Sequence, residues 1–206
     1  MGRYGLSSFP SKANCNIFIP GSSKFFLNFS TSGVITPRSS AIIGKWINSP
    51  GKTLLNKVKK DLGGNYLPII AEDLGVITPD VEQLRKNFEL PGMKILQFAF
   101  DGNDDNPYLP ENIKGENWVV YTGTHDNSTS ISWWESLDND TKTKIKDEYK
   151  FSENPSWSLI KTGMDTNANL FIAPIQDILS LDDSSRLNIP GTTKNNWKWK
   201  LSLIHI

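Results

Sequence analysis

From about Ala41 onward the apolar positions fall into short runs that alternate with helical stripes. Leu54, Leu55 and Val58 recur at helical spacing among lysines, and Gly63-Gly64 closes the helix they predict. Leu67-Pro68-Ile69-Ile70-Ala71 is a short apolar run that stops at Glu72-Asp73, which predicts a buried strand ending in acids. Thr78-Pro79-Asp80 has the form of a helix start, with threonine as cap and proline in the first turn. Val81, Leu84 and Phe88 form the buried stripe of that helix. Pro91-Gly92 turns the chain into a second apolar run, Met93 to Phe100, and a polar loop leads to a third, Trp118-Val119-Val120-Tyr121. This run stops at Thr124-His125-Asp126-Asn127. Helical stretches follow around 129–137 and 140–150, with another starting near Pro155. The fourth run, Leu170 to Pro174, ends close to Gln176-Asp177.

Continuous apolar strands alternating with helices predict an α/β fold whose parallel sheet is covered on both faces. In such folds, and above all in eight-stranded barrels, chemistry is done at the C-terminal ends of the strands. Three of the four runs lead directly into polar or acidic residues there. Carboxylates such as Asp80 and Asp140 read as ordinary helix caps. Glu72, directly after an apolar run, reads as a functional candidate.

Composition narrows the chemistry. The 206 residues carry 22 basic and 22 acidic side chains, so no bulk charge recruits nucleic acid or a membrane surface. No apolar run approaches the ~20 residues that cross a bilayer. One cysteine, Cys15, excludes an internal disulfide, and two histidines, His125 and His205, argue against a histidine-rich metal centre. No metal and no cofactor are expected, so catalysis rests on carboxylates, hydroxyls and backbone.

The charge is unevenly spread. Nine basic residues precede the first acid, Asp61, whereas the rest of the chain holds 22 acids against 13 bases. Residues 1–40 are serine-rich, basic and broken by Pro10, Pro20 and Pro37. That is the composition of a transit peptide, or of a leader foreign to the fold.

Glu72 and Asp126 stand out as a working pair. Cleaving a glycosidic bond takes one carboxyl group to protonate the leaving oxygen and others to stabilise a cation-like sugar. Glu72 emerges from an apolar strand, where desolvation favours the protonated acid. Asp126 is flanked by His125 and Asn127, both able to hydrogen-bond sugar hydroxyls.

These same segments resemble a known family. Ile69-Ile70-Ala71-Glu72-Asp73-Leu74-Gly75, Leu90 to Phe100, Val119 to Asn127 and Arg186-Leu187-Asn188-Ile189-Pro190-Gly191-Thr192 are similar, in order, to the 4-alpha-glucanotransferases, also called amylomaltases or disproportionating enzymes. Gly44-Lys45-Trp46 and Asn196-Trp197-Lys198-Trp199 fit as well. The resemblance covers residues 41–201. It implies a retaining transglycosylase of the alpha-amylase type on a (β/α)8 TIM barrel, moving α-1,4-glucan segments between maltooligosaccharides, glycogen or starch-type chains. Glu72 then resembles the general acid/base and Asp126 the transition-state stabiliser. His125, Asp73, Asn127 and Asn188 resemble substrate-groove residues. A cytoplasmic location follows, with a plastid as the alternative.

The departures from the family pattern set further expectations. The family's nucleophile is an aspartate in an Arg-Ile-Asp-His type strand, and residues 1–60 contain no acid. The chain is therefore read as the C-terminal half of the barrel, strands 5–8 with their helices. Residues 1–40 are an unrelated or disordered leader, residues 202–206 an unmatched tail, and a missing N-terminal half-barrel is the expected partner. The alternative is a non-catalytic fragment that binds glucan or has no function. Asp101, Asn103 and Asp105 mimic a calcium loop, but Asn106 replaces its glycine and Asn112 its closing glutamate. Trp133, Trp134, Phe98 and Phe100 are expected in the core rather than stacked on sugars.

Overall fold

The computed structural model describes residues 51–64, 69–72, 77 and 79–202, together with the backbone of strands at 15–18, 27–29, 34–35 and 46–47. The predicted cap Thr78, the predicted groove residue Asp73 and the start of the first apolar run, Leu67-Pro68, lie outside the described residues. The chain divides into two compact units, Met1–Met93 and Lys94–Ile206.

In the first unit, strands β1 (Cys15–Phe18), β2 (Leu27–Phe29), β3 (Val34–Ile35) and β4 (Trp46–Ile47) precede helix α1 (Gly51–Asp61). Strand β5 (Ile70–Glu72) and helix α2 (Pro79–Asn87) follow. Helix α1 buries Leu55 on its apolar stripe and places Lys59 and Lys60 in its last turn, where cations suit the negative end of the helix. It ends as the sequence predicts. Gly64 N–H reaches back to the Lys59 carbonyl at 2.8 Å, and Gly63 and Gly64 take φ of +93° and +90°, a left-handed exit open to glycine. Leu55, Ile69, Ala71, Val81, Leu84, Phe88 and Leu90 share one core.

Strand β5 departs from expectation. It does not sit in the parallel sheet; it pairs antiparallel with β1 in a sheet of order β2-β1-β5, Asn16 opposite Glu72. Toward β6 it makes one backbone bond, Ala71 N–H to the Pro91 carbonyl at 2.9 Å. Pro91 has no N–H with which to return a second.

Inside the same unit, Arg85 is buried. Its guanidinium grips both carboxylate oxygens of Glu82, at 2.9 and 3.1 Å, and caps the Leu90 carbonyl at 3.1 Å. The Arg85 hydrogen bond holds the Glu82 carboxyl below its ordinary value of 4.5, against the opposing effect of partial burial.

The second unit is entered through β6 (Gly92–Ile95) and a 3-10 turn at Leu96–Phe98. It continues with β7 (Trp118–Tyr121), α3 (Ser130–Ser136), α4 (Asn139–Tyr149), α5 (Pro155–Met164), β8 (Leu170–Ile172) and α6 (Ile175–Ile178). Its sheet has the order β6-β7-β8, with β7 and β8 parallel and Val120 opposite Phe171. The expected parallel pairing is therefore present between β7 and β8, in a sheet of three strands. Helix starts follow local rules: Asp138 caps α4 through Thr141 N–H at 2.8 Å, and Asn154 caps α5 through Trp157 N–H at 3.1 Å, ahead of Pro155.

Strand β7 is buried on both faces, Val119 and Val120 being essentially inaccessible. Strand β8 is not. Leu170 and Ile172 are exposed while Phe171 points into the core, so β8 lacks the two-sided cover expected of it. Trp133, Trp134 and Phe100 pack there as expected, together with Phe151, on which Trp134 stacks at 5.4 Å. Phe98 does not join them; it is exposed, edge-on to Tyr108. The calcium-like loop is held by its own side chains, with Asn103 N–H on Asp101 and Asp105 N–H on Asn103, both at 3.0 Å.

Helix α5 approaches the sheet closely at Gly163. A Cβ placed there would lie 2.2 Å from the Phe171 ring and 3.1 Å from Leu96. The ring is fixed in the core and cannot yield as a flexible tip would. Gly163→Ala is expected to cost about 1–3 kcal/mol, read as a lowered urea midpoint. An unchanged midpoint would show that the helix and sheet have slack at this contact.

Glu82 supplies a pH test. A carboxyl with a depressed folded-state pKa stabilises the fold above its unfolded value and loses that contribution as pH falls through the folded value. Glu82→Gln should therefore be less stable than the parent at neutral pH. The gap should close as pH falls below 4.5. Urea titrations of both proteins across that range decide it, and a gap independent of pH would rule out the charged Arg85 pair as its source.

Candidate active site

The residues that sequence reasoning grouped after the third apolar run are presented by one tight loop. Strand β7 leaves the sheet at Thr122, which is buried and donates its hydroxyl to Asp177 Oδ2 at 2.5 Å. Asn127 Oδ1 accepts both the N–H and the hydroxyl of Thr124 at 2.8 Å, and Asn127 N–H returns to the Thr124 carbonyl at 3.1 Å. This closed turn pushes His125 and Asp126 outward, their side chains 40% and 53% exposed. Beyond it α3 begins, with Ser130 N–H on Asp177 Oδ1 at 2.7 Å.

Two further contacts hold the loop. Gln97, just past β6, donates its amide to the Ser128 carbonyl at 2.9 Å. A Cβ on Gly123 would lie 2.8 Å from that amide nitrogen, so glycine keeps the space Gln97 needs. Asp183 Oδ1 accepts Thr129 N–H at 2.8 Å.

The other wall is the segment from Asp183 to Trp197. Asn188 donates its amide to Asp126 Oδ1 at 2.5 Å. The Arg186 guanidinium contacts the Asp126 carbonyl at 3.0 Å, the Asn188 carbonyl at 3.2 Å and Asp183 Oδ2 at 3.2 Å. His125 Nε2 lies 3.4 Å from Asp126 Oδ1, and its ring sits 5.1 Å from that of Trp197, tilted by 45°. Trp197 is held by its own N–H on the Leu187 carbonyl at 2.5 Å.

His125, Asp126, Asn127 and Asn188 are thus brought together. Their roles are unequal: the Asn127 carbonyl oxygen shapes the turn, and the Asn188 amide is occupied by Asp126. Asp126 remains an exposed carboxylate with one oxygen gripped, a group suited to accept sugar hydroxyls or face a developing positive charge. Glu72 lies in the first unit, half-buried at the C-terminal end of β5. No group of three or more His, Cys, Asp or Glu side chains that could hold a metal occurs among the described residues.

Sequence reasoning passed over the residues that hold the loop: Asp177, Asp183, Gln97, Trp197 and Arg186. Asp177 was accessible by the rule that singled out Glu72, since it follows closely on an apolar strand. Gln97, Arg186 and Trp197 fall in segments that carry the family resemblance, but nothing local assigns them a role, and Asp183 lies in no such segment.

Comparison with known proteins bears on this site. The family described as 4-alpha-glucanotransferase matches residues 25–204, which extends N-terminal of the expected boundary at Ala41. A 4-alpha-glucanotransferase of Synechocystis sp. is 46% identical over 170 residues, covering 82% of this chain and 34% of its own. A chloroplastic/amyloplastic 4-alpha-glucanotransferase of Arabidopsis thaliana is 46% identical over 163 residues, covering 78% of this chain and 28% of its own. An amylomaltase from Streptococcus agalactiae, solved in complex with acarbose, superposes with a TM-score of 0.71 at 34% identity. It covers 79% of this chain and 33% of its own. This chain spans about a third of the length of such relatives. By the extent of the family match, and by its likeness to these proteins, the chain belongs to the 4-alpha-glucanotransferase family.

Proposed function

We propose that this chain supplies part of the catalytic apparatus of a retaining 4-alpha-glucanotransferase that moves α-1,4-glucan segments between maltooligosaccharides, or to and from glycogen or starch-type chains. The observation that carries the reading is the Asp126 carboxylate, exposed after a parallel strand and gripped through one oxygen by Asn188 in a chain of this family. In this reading β5, β6, β7 and β8 belong to the C-terminal half of a (β/α)8 barrel.

The roles follow from the chemistry of the bond. Glu72 protonates the departing glycosidic oxygen and later takes a proton from the incoming sugar hydroxyl. Asp126 accepts hydroxyls of the reacting ring and stabilises the positive charge that builds at the anomeric carbon. His125 contacts the same ring, with Trp197 behind it. Asp73, Asn127 and Asn188 complete the groove.

A retaining enzyme also needs a nucleophilic carboxylate about 5–5.5 Å from the acid/base. Residues 1–60 contain no acid that could serve. The chain's partner is accordingly a stretch of the family chain bearing that carboxylate. A cytoplasmic or plastid setting suits an α-glucan substrate. No helix among the described residues is long and apolar enough to cross a membrane.

The chain alone is expected to bind acarbose, measured by calorimetry, and to release no glucose from maltotriose. Fusing the upstream portion of a relative ahead of residue 25, where the family match begins, should restore transfer. In that fusion Glu72→Gln should lower the rate by about 10²–10⁴. A glucosyl fluoride, which needs little protonation, should recover much of the loss. Asp126→Asn should stay defective with the fluoride, because charge stabilisation is needed whatever the leaving group. Rescue of Asp126→Asn and not of Glu72→Gln would overturn the assignment. A fusion that folds but neither binds acarbose nor transfers glucose would overturn the function.

A further inference from the structure

We infer that Arg186 is a positioning residue that sets the orientation of the Asp126 carboxylate by clipping the two loops on either side of it. The inference rests on the reading of Asp126 as the charge-stabilising group. Its basis is four contacts made by one guanidinium.

Arg186 is largely buried, its side chain 14% exposed. Nη2 donates to the Asp126 carbonyl at 3.0 Å, and Nε donates to the Asn188 carbonyl at 3.2 Å. Nη1 donates to Asp183 Oδ2 at 3.2 Å and approaches Ser128 Oγ at 3.5 Å. One planar group therefore holds the backbone of Asp126 and the backbone of Asn188 at once. Asn188 in turn holds Asp126 Oδ1 at 2.5 Å. The carboxylate is fixed at both ends, by its own main chain and by a side chain whose main chain is held by the same arginine.

Neither half of this arrangement suffices alone. Asp126 and Asn188 are separated by 62 positions and share no backbone ladder. Without the clip, the amide of Asn188 is free to leave the carboxylate whenever either loop shifts. Lysine cannot replace the clip, because an ammonium is a point donor and lacks the rigid fork that spans two carbonyls. Asp183 supplies the counter-charge and is itself held by Thr129 N–H, so the guanidinium is anchored to the start of α3. Arg186 touches no reacting atom in this scheme. Its effect is on where the carboxylate stands, and a displacement of the order of 1 Å can cost about 100-fold in rate.

The test uses the 206-residue chain labelled with ¹⁵N. The side-chain amide of Asn188 should shift in step with protonation of Asp126 as pH is lowered from neutral, and Asp126→Asn should abolish that step. In Arg186→Lys and Arg186→Ala the step should shrink by more than half, with the dispersion of the remaining amide signals retained. Acarbose affinity should fall about tenfold in parallel, as expected for a misplaced carboxylate. A merely structural arginine would lower the thermal midpoint and leave the Asn188 step intact. That outcome in a folded variant overturns the proposal. If Arg186→Ala does not fold, Arg186→Lys, which keeps the charge facing Asp183, decides. A parent chain that shows the Asn188 step but binds no acarbose would remove the functional reading, while the step in the variants still decides the clip.

Discussion

The buried carboxylate of Asp177 is the point on which the second unit turns. It is 1% exposed and lies in α6, directly after β8. One oxygen takes the hydroxyl of Thr122 at the end of β7, and the other takes the first N–H of α3. Its carbonyl takes the hydroxyl of Ser156 in α5. Removing a partner from such a site leaves buried donors unmade, at about 1–3 kcal/mol each. The consequence is geometric as well as energetic. The loop carrying His125 and Asp126 runs between Thr122 and Ser130, and both of its ends are tied to the same side chain.

The remaining contacts build outward from that anchor. Gln97 fixes the middle of the loop from the 3-10 turn after β6, and Asn127 closes it on itself. Asp183 and Arg186 bring in a segment from far down the chain as a second wall. Loops that carry chemistry are held by rigid elements. Here β7, with Val119 and Val120 buried at its centre, delivers the loop, and the buried acid of the neighbouring strand's exit secures it.

The aromatic core serves the same end. Trp133, Trp134, Phe100 and Phe151 fill the space beneath α3 and α4, so the helix that starts at Ser130 has a fixed seat. Gly163 lets α5 lie against Phe171 without a side chain between them. Phe98 alone of the four aromatics expected inside remains exposed, because the turn at Leu96–Phe98 ends the strand alternation that would have buried it.

Local chemistry made much of this protein legible from the chain alone. The apolar runs of β6 and β7, the stripes of α1 and α2, the helix start near Pro155 and the glycine exit at Gly63-Gly64 each depend on neighbours within a few residues. A one-dimensional pattern records such neighbours. The loop of His125, Asp126 and Asn127 was legible for the same reason, as polar residues abruptly following a buried strand. Strand partnership was not: that β5 pairs antiparallel with β1 depends on backbone groups that every residue carries, and no side-chain pattern encodes it. Nor was the exposure of Leu170 and Ile172, since an apolar run reads alike whether one face is covered or two. The grip of Asn188 and Arg186 on Asp126, and of Asp177 on Thr122 and Ser130, spans dozens of positions. Only the tertiary structure decides such contacts, because hydrogen bonds act over about 3 Å in space and are indifferent to separation along the chain.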